Sequence, residues 1–83
     1  MQYTVILNKR ALKDLRTLDK AAKEQIIAGI EGLEDDLAGD VKKLANFTPN
    51  YRLRVGVYRI LFDIVEDTVT VYRVRHRKDV YRK

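Results

Sequence analysis

The sequence contains no cysteine and a single histidine, His76. Without thiols it can build neither a disulfide framework nor a thiolate zinc site, and one imidazole does not make a metal cage. No cofactor or metal is expected, so any catalysis should be metal-free. Long apolar runs are also missing. The stretches from Tyr3 to Leu7 and from Ile60 to Phe62 fall far short of the ~20 residues a membrane-spanning helix needs. Nor does a basic-then-apolar leader with a small-residue cleavage site open the chain, and the expected location is the cytoplasm, with no membrane partner. At 83 residues there is room for one domain, 1–83, with one modest core.

What is present is 46% hydrophobic and 35% charged residues, a balance that folds. The charge is unevenly placed. Residues 1–50 carry eight Lys/Arg against eight Asp/Glu, and residues 51–83 carry nine against four, so the whole net charge of +5 lies in the last 33 residues. Seven of those nine are arginines: Arg52, Arg54, Arg59, Arg73, Arg75, Arg77 and Arg82. A guanidinium grips phosphate oxygens at two points, so this bias favours phosphate over mere solubility.

The β-branched and aromatic stretch from Tyr3 to Leu7 predicts a strand, and Asn8 a helix cap. Leu12, Leu15 and Leu18 then recur among charged residues, as in a short amphipathic helix. Asp19 is placed to cap a second helix whose apolar stripe runs through Ala22, Ile26, Ile30, Leu33 and Leu37, with Gly39 ending it. The two should form an antiparallel helical hairpin. Gly29 and Gly32 weaken the second helix, which suggests close packing against a neighbour.

Residues from Asp40 to Asn50, with Pro49, predict a loop docked through Leu44 and Phe47. Beyond it the pattern alternates. Tyr51, Leu53 and Val55 share one face and Arg52 and Arg54 the other. After a turn at Gly56, Tyr58, Ile60, Phe62 and Ile64 lie opposite Arg59, Leu61 and Asp63. Glu66 and Asp67 make the next turn, Thr68 to Val74 forms the last strand, and Arg75 to Lys83 is a basic tail. The order is β-α-α-β-β-β, an α+β fold with a helical hairpin packed on a small antiparallel sheet.

Three segments, Tyr-Arg-Leu-Arg-Val (Tyr51 to Val55), Tyr-Arg-Ile-Leu-Phe (Tyr58 to Phe62) and Arg-His-Arg-Lys-Asp-Val-Tyr (Arg75 to Tyr81), follow in that order. Together with Ala-Leu-Lys-x-Leu at Ala11 to Leu15 they make the chain resemble, over nearly its whole length, the RelE-type toxins of the RelE/ParE superfamily. The resemblance implies the toxin of a type II toxin-antitoxin pair: an endoribonuclease that cuts messenger RNA in the ribosomal A site and is held inactive by a cognate antitoxin. By the same resemblance Arg52 and Arg54 match the basic pair of the second strand, and Arg59 the arginine of the Tyr-Arg step on the third. Either Arg75 or Arg77 matches the basic residue near the end of the fourth, and Tyr81 the terminal tyrosine. Where some relatives have lysine on the second strand this chain has arginine, a poor general base.

Metal-free RNA cleavage by attack of a 2′-hydroxyl gathers negative charge on the phosphorus oxygens, which preplaced guanidinium groups stabilise. Arg59 is the first candidate for that role, with Arg52 and Arg54 sharing the anionic load. If arginine does not take the proton, His76 or Tyr81 must be considered, and Tyr81 is also suited to stacking on a base. Plainer readings stand beside these. Arg52 and Arg54 also fit the solvated face of a half-buried strand, Arg59 a pair with Asp63 along the same face, and His76 a strand-end hydrogen bond. Two other functions share these features: a gyrase poison of the ParE branch, and a non-catalytic nucleic-acid-binding module whose arginines only neutralise phosphates.

Overall fold

The computed structural model describes residues 2–45 and 48–78. The expected contact through Phe47 and the candidate Tyr81 lie outside them. The elements are β1 (Thr4–Leu7), α1 (Lys9–Arg16), α2 (Lys20–Gly32), β2 (Asp40–Lys43), β3 (Tyr51–Val55), β4 (Tyr58–Val65) and β5 (Thr68–His76). Both helices start where a short polar side chain can take an orphan N–H. Asn8 Oδ1 accepts the N–H of Ala11 at 3.0 Å, and Asp19 Oδ1 that of Ala22 at 2.8 Å.

The strands form one five-stranded sheet in the order β1-β5-β4-β3-β2. The α+β class is as expected, with the pairs β2–β3, β3–β4 and β4–β5 antiparallel and β1 parallel to β5. The helical connection makes that parallel pairing possible, because α1 and α2 carry the chain away from the end of β1 before the meander begins. The helices cover one sheet face. Ala11, Leu15, Ile26, Ile30 and Leu33 meet Leu53, Ile60, Phe62, Val69, Val71 and Val74 in a single buried cluster. Each large side chain fully buried there contributes about 1.5–3 kcal/mol of transfer free energy.

Two expectations are modified. The second helix stops at Gly32, and Asp36 and Leu37 turn left-handed at φ 54° and 57°. Leu37 still packs against the core, from a turn rather than from a helix. Asp40–Lys43, expected within a loop, is a short edge strand on β3 whose Val41 packs inward opposite Leu53. It lacked a sequence signal because Val41 is its only apolar residue.

Gly29 has a specific packing reason. A Cβ there would lie 2.7 Å from Val55 Cγ2, so α2 crosses β3 too closely for any side chain. Gly56, at φ 57°, opens the two-residue hairpin loop between Val55 and Tyr58.

Candidate functional site

The sheet face opposite the helices carries the arginines, and strand register decides which of them meet. Arg54 lies directly opposite Arg59 across β3–β4, and Arg59 directly opposite Arg75 across β4–β5. At the usual strand spacing the three stems stand in one row about 10 Å across. Like charges directly opposite each other on a sheet are destabilising. Register nonetheless sets three arginine stems side by side on one face of the sheet.

Arg75 reaches the row through an irregularity. Along β5, Val69 and Val71 face the core, and strict alternation would turn Arg73 and Arg75 inward as well. Instead the register shifts between Leu61 and Phe62, so that Phe62 pairs with Val71 but Leu61 with Arg73. The extra residue, Tyr72, is a β-bulge, after which Val74 is buried opposite Ile60 and Arg75 faces the open side. The sequence held a signal for this: valines at 69, 71 and 74 alternate and then skip.

The bulge is pinned from α1. Asp14 accepts from Arg73 Nε at 2.8 Å and Nη2 at 3.2 Å, and its Oδ2 also takes the Val74 N–H at 2.9 Å. The hydrogen bond to Asp14 raises the Arg73 pKa above its ordinary value, with burial opposing. Arg73 thus stays charged and compensated. Arg52 is also engaged, its Nη1 donating to the Asp40 carbonyl at 2.9 Å and lying 3.4 Å from the Asp40 carboxylate. Arg59 Nη1 donates to the carbonyls of Gly56 at 3.2 Å and Tyr58 at 3.1 Å, which holds the side chain at the β3–β4 turn. Asp63 is committed to the neighbouring loop, where its Oδ1 accepts the Asn50 N–H at 2.7 Å. Among the described residues no carboxylate pairs with Arg54 or Arg75.

His76 falls on the other face. It pairs in register with Tyr58, whose ring packs against the core, and the two rings meet edge to face at 5.7 Å. Its Nδ1 accepts the Lys78 N–H at 3.2 Å. The geometry therefore brings Arg54, Arg59 and Arg75 together, sets Arg52 in the adjacent cross-strand row, and leaves His76 behind the sheet. Arg77 is exposed just past the strand end, its N–H donating to the Val57 carbonyl at 2.7 Å. What residue-by-residue reading missed was the bulge and the two aspartates, Asp14 and Asp40, that hold Arg73 and Arg52 in place.

Comparison with known proteins agrees with this fold. The family model described as the ParE toxin of type II toxin-antitoxin systems matches residues 5–81. Toxin RelE3 of Methanocaldococcus jannaschii is 35% identical over 82 residues, which cover 93% of each chain. The RelB-RelE antitoxin-toxin complex from Methanococcus jannaschii contains a chain with TM-score 0.75 and 32% identity, covering 92% of this chain and 94% of that one. The toxin-antitoxin complex RelBE2 from Mycobacterium tuberculosis gives TM-score 0.80 at 28% identity, over 93% of this chain and all of that one.

Proposed function

The chain belongs to the ParE toxin family of type II toxin-antitoxin systems as a toxin of RelE type, and from that premise we propose that it is an endoribonuclease cutting messenger RNA on the ribosome. The observation that carries this reading is the row Arg54–Arg59–Arg75. In the proposed reaction a ribose 2′-oxygen attacks the adjacent phosphorus and the 5′-oxygen leaves, giving a cyclic phosphate and a free 5′-hydroxyl. The charge that builds on the phosphoryl oxygens is met by guanidinium groups already in place, without reorganisation during the step. Arg59, at the centre of the row, faces the scissile phosphate, with Arg54 and Arg75 on either side. Arg52, held by Asp40, supports the neighbouring backbone, and Arg77 extends the basic surface beyond the strand end.

A ribosome supplies what the site lacks. Arginine does not give up its proton at ordinary pH, and His76 stands behind the sheet. Orientation of the 2′-hydroxyl by ribosome-held RNA then carries a large share of the rate, as positioning can, with Tyr81 as the remaining side-chain candidate for moving a proton. The same arginine row suits a cognate antitoxin that offers acidic residues with an amphipathic helix. Two of the solved relatives are toxin-antitoxin complexes, which supports such a partner.

The decisive experiment adds purified protein to translating ribosomes and maps the new 5′ ends. Cuts in reading frame with 5′-hydroxyl ends, lost in Arg59→Ala while the variant stays folded, are the expected result. The family description also names ParE, so gyrase inhibition is assayed in parallel. DNA breaks without cut RNA would replace the nuclease reading with gyrase poisoning.

A further inference from the structure

The open sheet face carries a second feature beyond the arginine row. A cavity of about 370 Å³ lies beside the bulge, lined by Arg10, Thr48, Asp63, Tyr72 and Arg73 among others. That is within the range of small-ligand sites. Its aromatic wall owes its position to the bulge, because Tyr72 is the extra residue of β5 and is 37% exposed. No other aromatic among the described residues is so exposed. Arg73, tied to Asp14, is a fixed and compensated part of the lining. Asp63 gives one oxygen to the Asn50 N–H, yet a carboxylate has about four acceptor sites, so capacity remains.

A ring face to stack on, a carboxylate to accept N–H groups and the Arg10 cation form the complement of a nucleotide. Asp63 lies four residues along β4 from Arg59, about 13 Å at the usual rise. A base held there belongs to a nucleotide near the scissile phosphate, not at it. We propose that this cavity is a nucleobase subsite in which Tyr72 stacks on the base and Asp63 selects one whose edge presents adjacent N–H donors, guanine above uracil and adenine. The proposal deepens the nuclease reading by assigning its base preference to these two side chains.

The test has a binding arm independent of cleavage. Guanosine and uridine 5′-monophosphates are titrated into the folded protein, with the Tyr72 ring and the Asn50 and Asp63 amides followed by NMR. Guanosine monophosphate should shift all three and bind more tightly than uridine monophosphate. Tyr72→Ala should weaken it roughly 5- to 150-fold, the loss of one base-aromatic stack, and Tyr72→Phe should restore most of that loss. Asp63→Asn keeps an acceptor for the Asn50 N–H but turns an oxygen into an N–H₂ donor, so the preference for guanine should vanish or invert. In the ribosome assay the same variants should change which bases flank the cuts.

If the wild type binds guanosine monophosphate in this way and cuts no RNA, the nuclease reading falls and the subsite stands. If it cuts RNA but neither Tyr72→Ala nor Asp63→Asn alters base preference or nucleotide binding, the subsite falls and the nuclease reading stands. Resonances that shift with an antitoxin peptide but with no nucleotide would also overturn the subsite.

Discussion

The Asp14 carboxylate binds Arg73 at 2.8 Å and, through the same oxygen, the backbone N–H of Val74 at 2.9 Å. Beyond Val71, β5 has no β1 partner, and Asp14 replaces a missing strand by satisfying one N–H at the edge. It also fixes the bulge that turns Arg75 toward the arginine row and His76 away from it. A residue of α1, remote from the row in sequence, thus braces the strand segment that presents Arg75.

Asp14→Ala should cost about 1–3 kcal/mol, the consequence of leaving a partly buried N–H and a guanidinium without their acceptor. For a domain of this size that corresponds to a melting temperature lower by on the order of 10 °C. Hydrogen exchange at Val74 should accelerate, and RNA cleavage should fall more than the loss of folded protein explains. An unchanged Val74 exchange rate would show that Asp14 does not hold the bulge.

Removing an outer arginine of the row should separate stability from activity. Arg75→Gln or Arg54→Gln relieves like-charge repulsion across a strand pair and should stabilise the fold by about 0.2–1 kcal/mol. Cleavage should meanwhile drop, by up to the ~10²–10³-fold that loss of one electrostatic contact brings. Urea unfolding and single-turnover cleavage on ribosomes measure the two effects. A variant both less stable and fully active would remove its arginine from the proposed site.

Some of this was legible in the sequence. Strict alternation from Tyr51 to Val55 and from Tyr58 to Ile64 defines both faces of β3 and β4, and that period of two is enough to set Arg52, Arg54 and Arg59 on one side. Asn8 and Asp19 marked both helix starts because their side chains have a local chemical task. What was not legible depends on distant partners. Asp40–Lys43 becomes a strand because β3 offers it a ladder, and Leu37 reaches the core through a left-handed turn, which a helical stripe mimics. Whether Arg75 or His76 joins the row turns on one extra residue at Tyr72. Short-range periodicity gives no sign of the aspartate on another element that anchors it.

Gly29→Ala tests the crossing of α2 over β3. On helix propensity alone alanine should gain about 1 kcal/mol. The new Cβ would stand 2.7 Å from Val55 Cγ2, however, with Leu53 Cδ2 at 3.5 Å, and β-branched Val55 has little freedom to turn away. Overpacking commonly costs about 1–3 kcal/mol, so the net change should be destabilising by roughly 1 kcal/mol. The double variant Gly29→Ala/Val55→Ala should be less destabilised than the sum of its parts. Additive single effects would mean that the two residues do not collide.

The last expectation concerns the proton. His76 carries the only imidazole, so a base is readily assigned to it, but its ring lies against Tyr58 on the helix side of the sheet and its Nδ1 takes the Lys78 N–H. Contacts of this kind are structural. His76→Ala should therefore lower thermal stability by loosening the end of β5, while changing the single-turnover rate far less than Arg59→Ala does. A His76 that worked as the base would give a different record. The log rate would rise with pH and then level, and His76→Ala would flatten that limb and slow the reaction ~10²- to 10⁴-fold. Tyr81→Phe completes the comparison, because a hydroxyl that moves the proton is lost in that variant while the ring is kept. If Tyr81→Phe is slow and His76→Ala is not, the tyrosine carries the proton. If both retain full rate, side-chain proton transfer is not limiting, and the arginine row acting on ribosome-oriented RNA accounts for the chemistry. Only a slow His76→Ala with a flattened pH limb would require β5 to rearrange on the ribosome and bring His76 through to the arginine face.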